Sequence, residues 1–311
     1  MRPNLVVIMD DIAEISVGKD TSFAMLLEGQ RRGYELYYLN ESDLYLEDAR
    51  AMARMWPVRV RDRHRDWYEL GEPVERALGA EDLVLMRADP PVDASYLHAT
   101  YLLERAQAAG ARVVNRPSGL RDFNEKLAIM RFPELIAPTV VSSNPARLRA
   151  FVGERGKAVL KPLDGMGGKS IFLVEAGDPN LNVIIETLTD GGDLAMAQAW
   201  LPEISEGDKR VLLINGRPVE HVLARIPSER DFRGNLARGG RGEGRPLSDG
   251  DRAIAEAVGP VLAEHGIAFA GLDVIGDRLT EINVTSPTCV RELDRQFGIN
   301  IIGDLFDAVD P

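Results

Sequence analysis

Three residues late in the chain combine suitable chemistry with suitable spacing. In the stretch FAGLDVIGDRLTEINVTSPT, Glu281 and Asn283 stand two apart in a strand-like run. Both side chains therefore point to one face of that strand. With Asp273 nearby they form a set of hard oxygen ligands. Such a set suits Mg²⁺, or Mn²⁺ in its place, commonly held by one or two carboxylates together with substrate phosphates. A polar strand face in water would have the same pattern, but a second segment favours phosphates. KPLDGMGGKSIF places Lys161 just ahead of Gly165, Gly167 and Gly168. Glycines there can take positive φ and let backbone N–H groups approach a phosphate. An ordinary hairpin turn is the simpler alternative.

The spacing of the first pair carries a geometric condition. A two-residue turn at Gly276 and Asp277 would pair Asp273 with Thr280 and put Glu281 on the opposite face. A three-residue or bulged loop pairs Asp273 with Glu281. The metal reading therefore predicts the odd count.

Other chemistries fit less well. Gly168-Lys169-Ser170 resembles the end of a Walker A loop, but the glycine required five residues earlier is Leu163, and a strand-like run follows instead of a helix. Lys169 is given no role. No GxGxxG follows a strand and no GxSxG occurs. His64, His98, His221 and His265 form no close pair with metal-ligand spacing. Cys289 is the only cysteine, with no local base; it reads as a small packed residue. A disulfide within the chain is excluded, which fits a reducing compartment.

The elements that must position these residues are legible along the chain. Runs at 5–9, 34–39, 83–86 and 111–115 read as strands, with helices at 21–32 and 94–109 ended by Gly33 and Gly110. Alternation of strand and helix predicts a parallel sheet covered by helices. Ser118 reads as the cap of a helix reaching Met130. From 139 to 198 the order is strand, helix, strand, glycine loop, strand, helix, strand. Strands follow at 209–214 and 217–226, then a polar, glycine-rich stretch at 227–246 that reads as a lid. A helix with Ile254, Val258, Val261 and Leu262 on one face precedes the hairpin, and two short helices close the chain. The predicted domains are 1–122, an α/β unit for substrate; 123–200, an α+β unit with the glycine loop; and 201–311, with the metal site and the lid.

Composition narrows the function. The 311 residues are 45% hydrophobic, which suits packed domains. Lys plus Arg number 37 against 49 Asp plus Glu, a net charge of −12 that disfavours nucleic-acid and membrane-surface binding. Arg59, Arg61, Arg63 and Arg65 alternate and read as the solvated face of an edge strand. MRPNLVVIMDDIAEI is no signal peptide, and no apolar run approaches the roughly 20 residues of a membrane span. A cytoplasmic protein is expected.

Longer motifs carry a resemblance. KPLDGMGGKSIF, QAWLPEISEGDKRVLLINGRPV, LARIP, RGNLARGGRGE and GLDVIGDRLTEINVTSPTC resemble the bacterial glutathione synthetases of the ATP-grasp superfamily. DTSFAMLLEGQRRGYEL, MRADPP and LRDFNEKL extend the likeness over nearly the whole chain. It implies an ATP-grasp fold, mixed α/β and α+β, with an N-terminal parallel-sheet, Rossmann-like domain and ATP held between the other two. It implies that Lys126 and Lys161 bind ATP phosphates with the glycine loop. Gln198 would open the adenine hinge, formed by Ala199, Trp200 and Leu201, and Asp208 would take the ribose. Arg210 and Arg225 would face the transferring phosphoryl group and the oxyanion. Asp273, Glu281 and Asn283 match the magnesium ligands. On the acceptor side, Ser286, Pro287 and Thr288 would cradle the glycine carboxylate, Arg233 and Asn235 would close over the peptide, and Arg87 and Ser16 would bind the dipeptide.

The resemblance implies ligation of γ-glutamylcysteine to glycine through an acyl phosphate, releasing ADP and phosphate. Two alternatives stand beside it: another ATP-dependent carboxylate–amine ligase with a different acceptor, and a non-catalytic ATP-binding regulator. A homo-oligomer is compatible with the sequence. D-alanine:D-alanine ligases usually carry an arginine two residues before the first metal ligand. Here that position is Gly271, so the oxyanion partner must come from elsewhere, with Arg210 or Arg225 as the candidate.

Overall fold

The computed structural model describes residues 3–228, 231, 233–234 and 239–310. Its strands form three sheets. The first is built on Asn4–Ile8, every residue of which is buried. That strand runs parallel to Glu35–Leu39 on one side and to Asp82–Met86 on the other, with Arg112–Val114 parallel beyond. Burial on both faces explains why the run NLVVI is continuously apolar after its first residue. Helix Thr21–Arg32 begins where the Asp20 carboxylate accepts from Phe23 N at 2.6 Å, and ends at Gly33, whose φ of +84° an L side chain would resist.

Two expectations for this region need correction. Arg59 lies on strand Arg50–Val60, which pairs with strands on both sides and is no edge; Arg61, Arg63 and Arg65 follow in the connecting segment. All four remain exposed, as a solvated group of charges should be. The helix expected over 118–130 is only Pro117–Asp122, with Pro117 rather than Ser118 opening it, and a separate 3-10 turn at Ala128–Arg131. The Asn124 side chain is the reason. Its Oδ1 accepts from the main-chain N–H of Lys126 at 3.2 Å and Leu127 at 3.0 Å. A short polar side chain that bonds its neighbours' backbone competes with the helix.

The second sheet is antiparallel, with Phe172–Glu175, Lys157–Pro162, Ala195–Ala199 and Thr139–Ser142 side by side. Its Ala158, Leu160, Ala195 and Ala197 pack on helices Pro145–Arg155 and Leu181–Leu188. The glycine loop joins its two adjacent strands, so it is not a Walker A loop.

The third sheet orders Arg241–Pro246, Arg217–Ile226, Asp208–Ile214, Phe269–Ile275 and Arg278–Asn283, all antiparallel. Val211, Leu213, Ala270, Leu272, Val274 and Ile282 share a core with Ile254, Val258 and Leu262 of helix Asp249–Glu264. Period-two alternation therefore leaves the other face of these strands for polar residues. The expected lid is shortened: 241–246 is a strand in register with 221–226.

Asn115 ties this sheet to the first domain. Its Nδ2 donates to Phe269 O at 2.7 Å and Val284 O at 2.8 Å, and its Oδ1 accepts from Phe269 N at 2.8 Å. An Asn115→Leu substitution would leave three buried backbone groups without partners, at about 1–3 kcal/mol each before relaxation. Urea unfolding should show a loss of about 3 kcal/mol or more. A change below about 0.5 kcal/mol would mean that these bonds do not hold the domains together.

Candidate active site

The hairpin meets the odd-count condition by a route other than a longer turn. Ile275 pairs with Arg278, so the turn has two residues, Gly276 and Asp277. The register then shifts, Thr280 is passed over, and Asp273 pairs with Glu281. The extra residue is a bulge within the strand, not part of the loop. Thr280 is held there: its hydroxyl donates to Asp273 O at 3.1 Å, and its own carbonyl accepts from Lys161 Nζ at 3.4 Å.

With that register, four neighbouring strands present their polar residues on one face. Arg210 pairs with Asp273, Asp208 with Arg225, and Gly271 with Asn283. Arg210 grips Asp273 with two bonds, Nε to Oδ1 at 2.6 Å and Nη2 to Oδ2 at 3.1 Å. Arg225 Nη2 reaches Asp273 Oδ2 at 2.8 Å and also bonds Asp208 Oδ2. Burial opposes ionisation of Asp273, but the two guanidinium charges outweigh it and hold the carboxyl below its usual value. Asp208 is pushed upward by burial, which Arg225 offsets only in part.

Gly271 explains the missing arginine. A Cβ there would sit 2.6 Å from Cδ of Arg210. The cation comes from the next strand and lies across the space that a side chain at 271 would occupy.

The opposing wall comes from the second sheet and the segment before it. Lys126 Nζ lies 3.2 Å from Glu281 Oε1 and donates to the carbonyls of Leu163 and Gly165 in the glycine loop. Lys161 is buried, which pushes its ammonium downward from the usual lysine value while Glu281 pulls it back. Gly167 and Gly168 have φ of +61° and +73°, as the phosphate reading requires; Gly165 does not take positive φ. Arg233 donates to Gly168 O at 2.6 Å and pairs with Asp231, linking the segment after 226 to the glycine loop.

Between these walls lies a cavity of about 320 Å³. It is lined by Lys126, Lys161, Gly165, Gly167 and Gly168, by Gln198, Ala199, Trp200, Leu201 and Asp208, and by Arg210, Arg225 and Arg233. Asp273, Glu281, Asn283, Ser286 and Thr288 complete it. Two of its buried polar atoms lack any hydrogen-bond partner, Gln198 Nε2 and Asp208 Oδ1. One donor and one acceptor left open in a cavity wall fit a nucleoside, which offers both. Asn283 donates from Nδ2 to Gly271 O at 3.1 Å, which leaves its amide oxygen for a cation beside Asp273 and Glu281. Oxygen donors of this kind fit Mg²⁺. Among the described residues no group of three or more His, Cys, Asp or Glu suited to a metal occurs, so a metal beside Asp273 and Glu281 would take its third protein ligand from an amide such as Asn283.

Three of the expected acceptor-side residues stand outside the lining. Arg87 is buried against the backbone, donating to Pro287 O at 3.1 Å and to Ser22 Oγ at 3.1 Å. Pro287 contributes that carbonyl, and Ser16 accepts from the main chain of Lys19 at 2.8 Å. Asn235 falls outside the described residues. Among the lining residues without a role assigned from sequence are two acids, Glu125 and Asp89. Glu125 precedes Lys126 and accepts from Thr285 Oγ1 at 2.8 Å. Asp89 accepts from Ser286 Oγ.

Comparison with known proteins now decides the family. Residues 4–121 match the family model for the prokaryotic glutathione synthetase N-terminal domain, and residues 125–298 that for its ATP-grasp domain. The chain belongs to the prokaryotic glutathione synthetase family. It is 59% identical over 311 residues to the glutathione synthetase of Xanthomonas axonopodis pv. citri, covering 100% of this chain and 98% of that one. It is 54% identical over 307 residues to that of Salmonella typhimurium, covering 98% of each. Among solved structures, a D-cycloserine synthetase superposes with a TM-score of 0.66 at 15% identity, covering 98% of each chain. An ATP-grasp RimK domain protein from Sphaerobacter thermophilus gives 0.63 at 19%, covering 99% of this chain and 100% of that one. These two share the ATP-grasp fold. As a glutathione synthetase family member the chain is an ATP-using ligase with small-molecule substrates. No helix among the described residues is long and apolar enough to cross a membrane.

Gly271→Ala tests the site's crowding. The added methyl must displace Arg210 from Asp273, so turnover should fall by about tenfold or more while circular dichroism stays unchanged. Turnover within about twofold of the parent would show that Arg210 need not stand there.

Proposed function

We propose that the cavity joins γ-glutamylcysteine to glycine, making glutathione, with ATP cleaved to ADP and phosphate. One observation carries the reading: two buried arginines and the carboxylates of Asp273 and Glu281 share a sheet face, opposite two lysines and a glycine loop. That is an arrangement for moving a phosphoryl group, with cations on both sides of the transferred charge.

In this reading Gln198 and the 199–201 backbone hold adenine, Asp208 the ribose, and Lys126, Lys161 and the glycine loop the phosphates. Asp273, Glu281 and Asn283 would hold Mg²⁺ or Mn²⁺, which when bound supplies positive charge beside the phosphates. The cysteinyl carboxylate takes the γ-phosphoryl group, and ADP is the leaving group. Arg210 and Arg225 steady the equatorial oxygens. The glycine amine, having lost a proton, then attacks the acyl phosphate carbonyl, the arginines stabilise the oxyanion, and phosphate departs. One preplaced donor at such an oxyanion is worth about 3–4 kcal/mol. Ser286, Pro287 and Thr288 receive the glycine carboxylate, and Arg233 with Asn235 closes the site. Arg87 and Ser16 serve the dipeptide, Arg87 through the backbone it braces. An acyl phosphate must be kept from water, so closure is part of the chemistry. A cytoplasmic location suits a reaction that spends ATP on a thiol peptide.

The expected products are one ADP and one phosphate per peptide bond, with oxygen-18 from the dipeptide carboxylate recovered in the phosphate. AMP and pyrophosphate, or unlabelled phosphate, would refute the acyl-phosphate route. An amine panel scored by ADP release separates glycine from other acceptors, and ATP binding without turnover on any amine would favour a regulator.

Glu281→Ala should abolish turnover while circular dichroism and thermal unfolding remain close to the parent. Near-normal turnover at saturating Mg²⁺ would remove Glu281 from the metal site.

A further inference from the structure

The segment carrying Lys126 makes a second set of contacts one residue earlier. Glu125 Oε1 accepts three bonds: from Val284 N at 2.9 Å, from Thr285 N at 3.1 Å and from Thr285 Oγ1 at 2.8 Å. The Glu125 carbonyl accepts from Ile282 N at 2.9 Å. Its neighbour Lys126 meanwhile reaches Glu281 and the glycine loop. Two adjacent residues thus grip the chain at 281, 282, 284 and 285.

Those contacts fall at a junction. Upstream lies the strand bearing Glu281 and Asn283; immediately downstream lies 286–288, whose Ser286 and Thr288 line the cavity. Consecutive backbone N–H groups aimed at one point form an anion-binding nest. Here the nest is filled by a side chain of the protein itself, with a hydroxyl added. Bonds to an ionised acceptor are roughly twice as strong as neutral ones. The Val284 carbonyl is separately taken by Asn115. Both polar groups of residue 284 are therefore fixed before the chain enters 286–288.

The bonds of the Glu125 carboxylate go to residues 284 and 285 and, among the described residues, not to Gln198, Asp208 or Lys161, so its loss should leave ATP binding largely in place. What depends on it is the position of 286–288 relative to Asn283. We propose that Glu125 is a positioning residue for the acceptor amino acid, its carboxylate holding 284–285 so that 286–288 receives glycine at the distance the second half-reaction needs. The inference rests on the reading of 286–288 as the acceptor cradle. It assigns neighbouring residues to separate halves of the reaction, Lys126 to phosphoryl transfer and Glu125 to capture of the amine.

The test separates those halves. Glu125→Gln keeps the size and one acceptor oxygen but removes the charge. The KM for glycine should rise by about tenfold or more, with kcat changed less than about threefold. ATP binding should stay within about twofold, as should scrambling of oxygen-18 from the β,γ-bridge of ATP when γ-glutamylcysteine is present without glycine. Thr285→Val removes only the hydroxyl donor and should shift the glycine KM the same way by about threefold, which covers the case of a poorly folding Gln variant. An unchanged glycine KM in both variants overturns the proposal. So does a parallel fall in scrambling and ligation, which a merely structural role would give. If the unaltered enzyme scrambles label but does not use glycine, the functional reading itself fails, and the positioning role with it.

Discussion

Two guanidinium groups are buried on one sheet face, and the rest of the site answers to that. Arginine cannot shed its proton at ordinary pH, so two guanidinium groups buried side by side are costly without acceptors of opposite charge. The strand registers supply one directly across from each: Asp273 opposite Arg210, and Asp208 opposite Arg225. The four charges cancel as a block. Such a block is poor stabilisation, since a well-packed apolar set of the same volume is often as good or better. In the proposed reaction it holds two cations ready at fixed positions. Any cation taken up by Asp273 would loosen its hold on the arginines and free them toward an anion.

The alternation along each strand, which puts apolar residues against helix Asp249–Glu264 and charges on the opposite side, makes this arrangement possible. Val211 and Leu213 on one side, and Arg210 with Asp208 on the other, come from the same seven residues. The apolar side has helix Asp249–Glu264 against it, which fixes the sheet and so fixes the charges. The second sheet repeats the scheme: Ala158 and Leu160 face helices, while Lys161 lines the cavity.

Most of this was legible in the sequence where periodicity and residue type agreed. Helix 21–32 was read with its bounds intact because its apolar face is regular and Gly33 marks its end. The strands around the glycine loop followed from short apolar runs between turn residues. Reading failed where a side chain acts on backbone far away in sequence. Asn124 ends a helix that composition favours, and Glu125 binds residues about 160 positions later. Neither leaves a local pattern. The region 44–77 holds four strands, of which the sequence showed only one, through the charges from Arg59 onward, because their burial is partial and their charges look like a surface. In the site, Asp273, Glu281 and Asn283 were recognisable by chemistry, whereas Gly271 gained its meaning only from the arginine beside it. Arg87 read as a dipeptide contact, and its burial against the Pro287 carbonyl could not be seen in the sequence, where a buried cation and an exposed one are written with the same letter.

The bulge at Thr280 gives this hairpin an arithmetic. Facing alternates along each strand, and the one residue skipped at Thr280 returns Glu281 to the side of Asp273. A residue added to or removed from the turn itself leaves these pairs as they are, because the ladder beyond it is unchanged. A residue added or removed between Arg278 and Glu281 would instead send Glu281 and Asn283 to the helix side, into the core, unless the skip were lost at the same time. Length variation in this hairpin is thus confined to its tip: the chain can drift there in the identity and number of its residues, while the short run from 278 to 281 can change only by even steps.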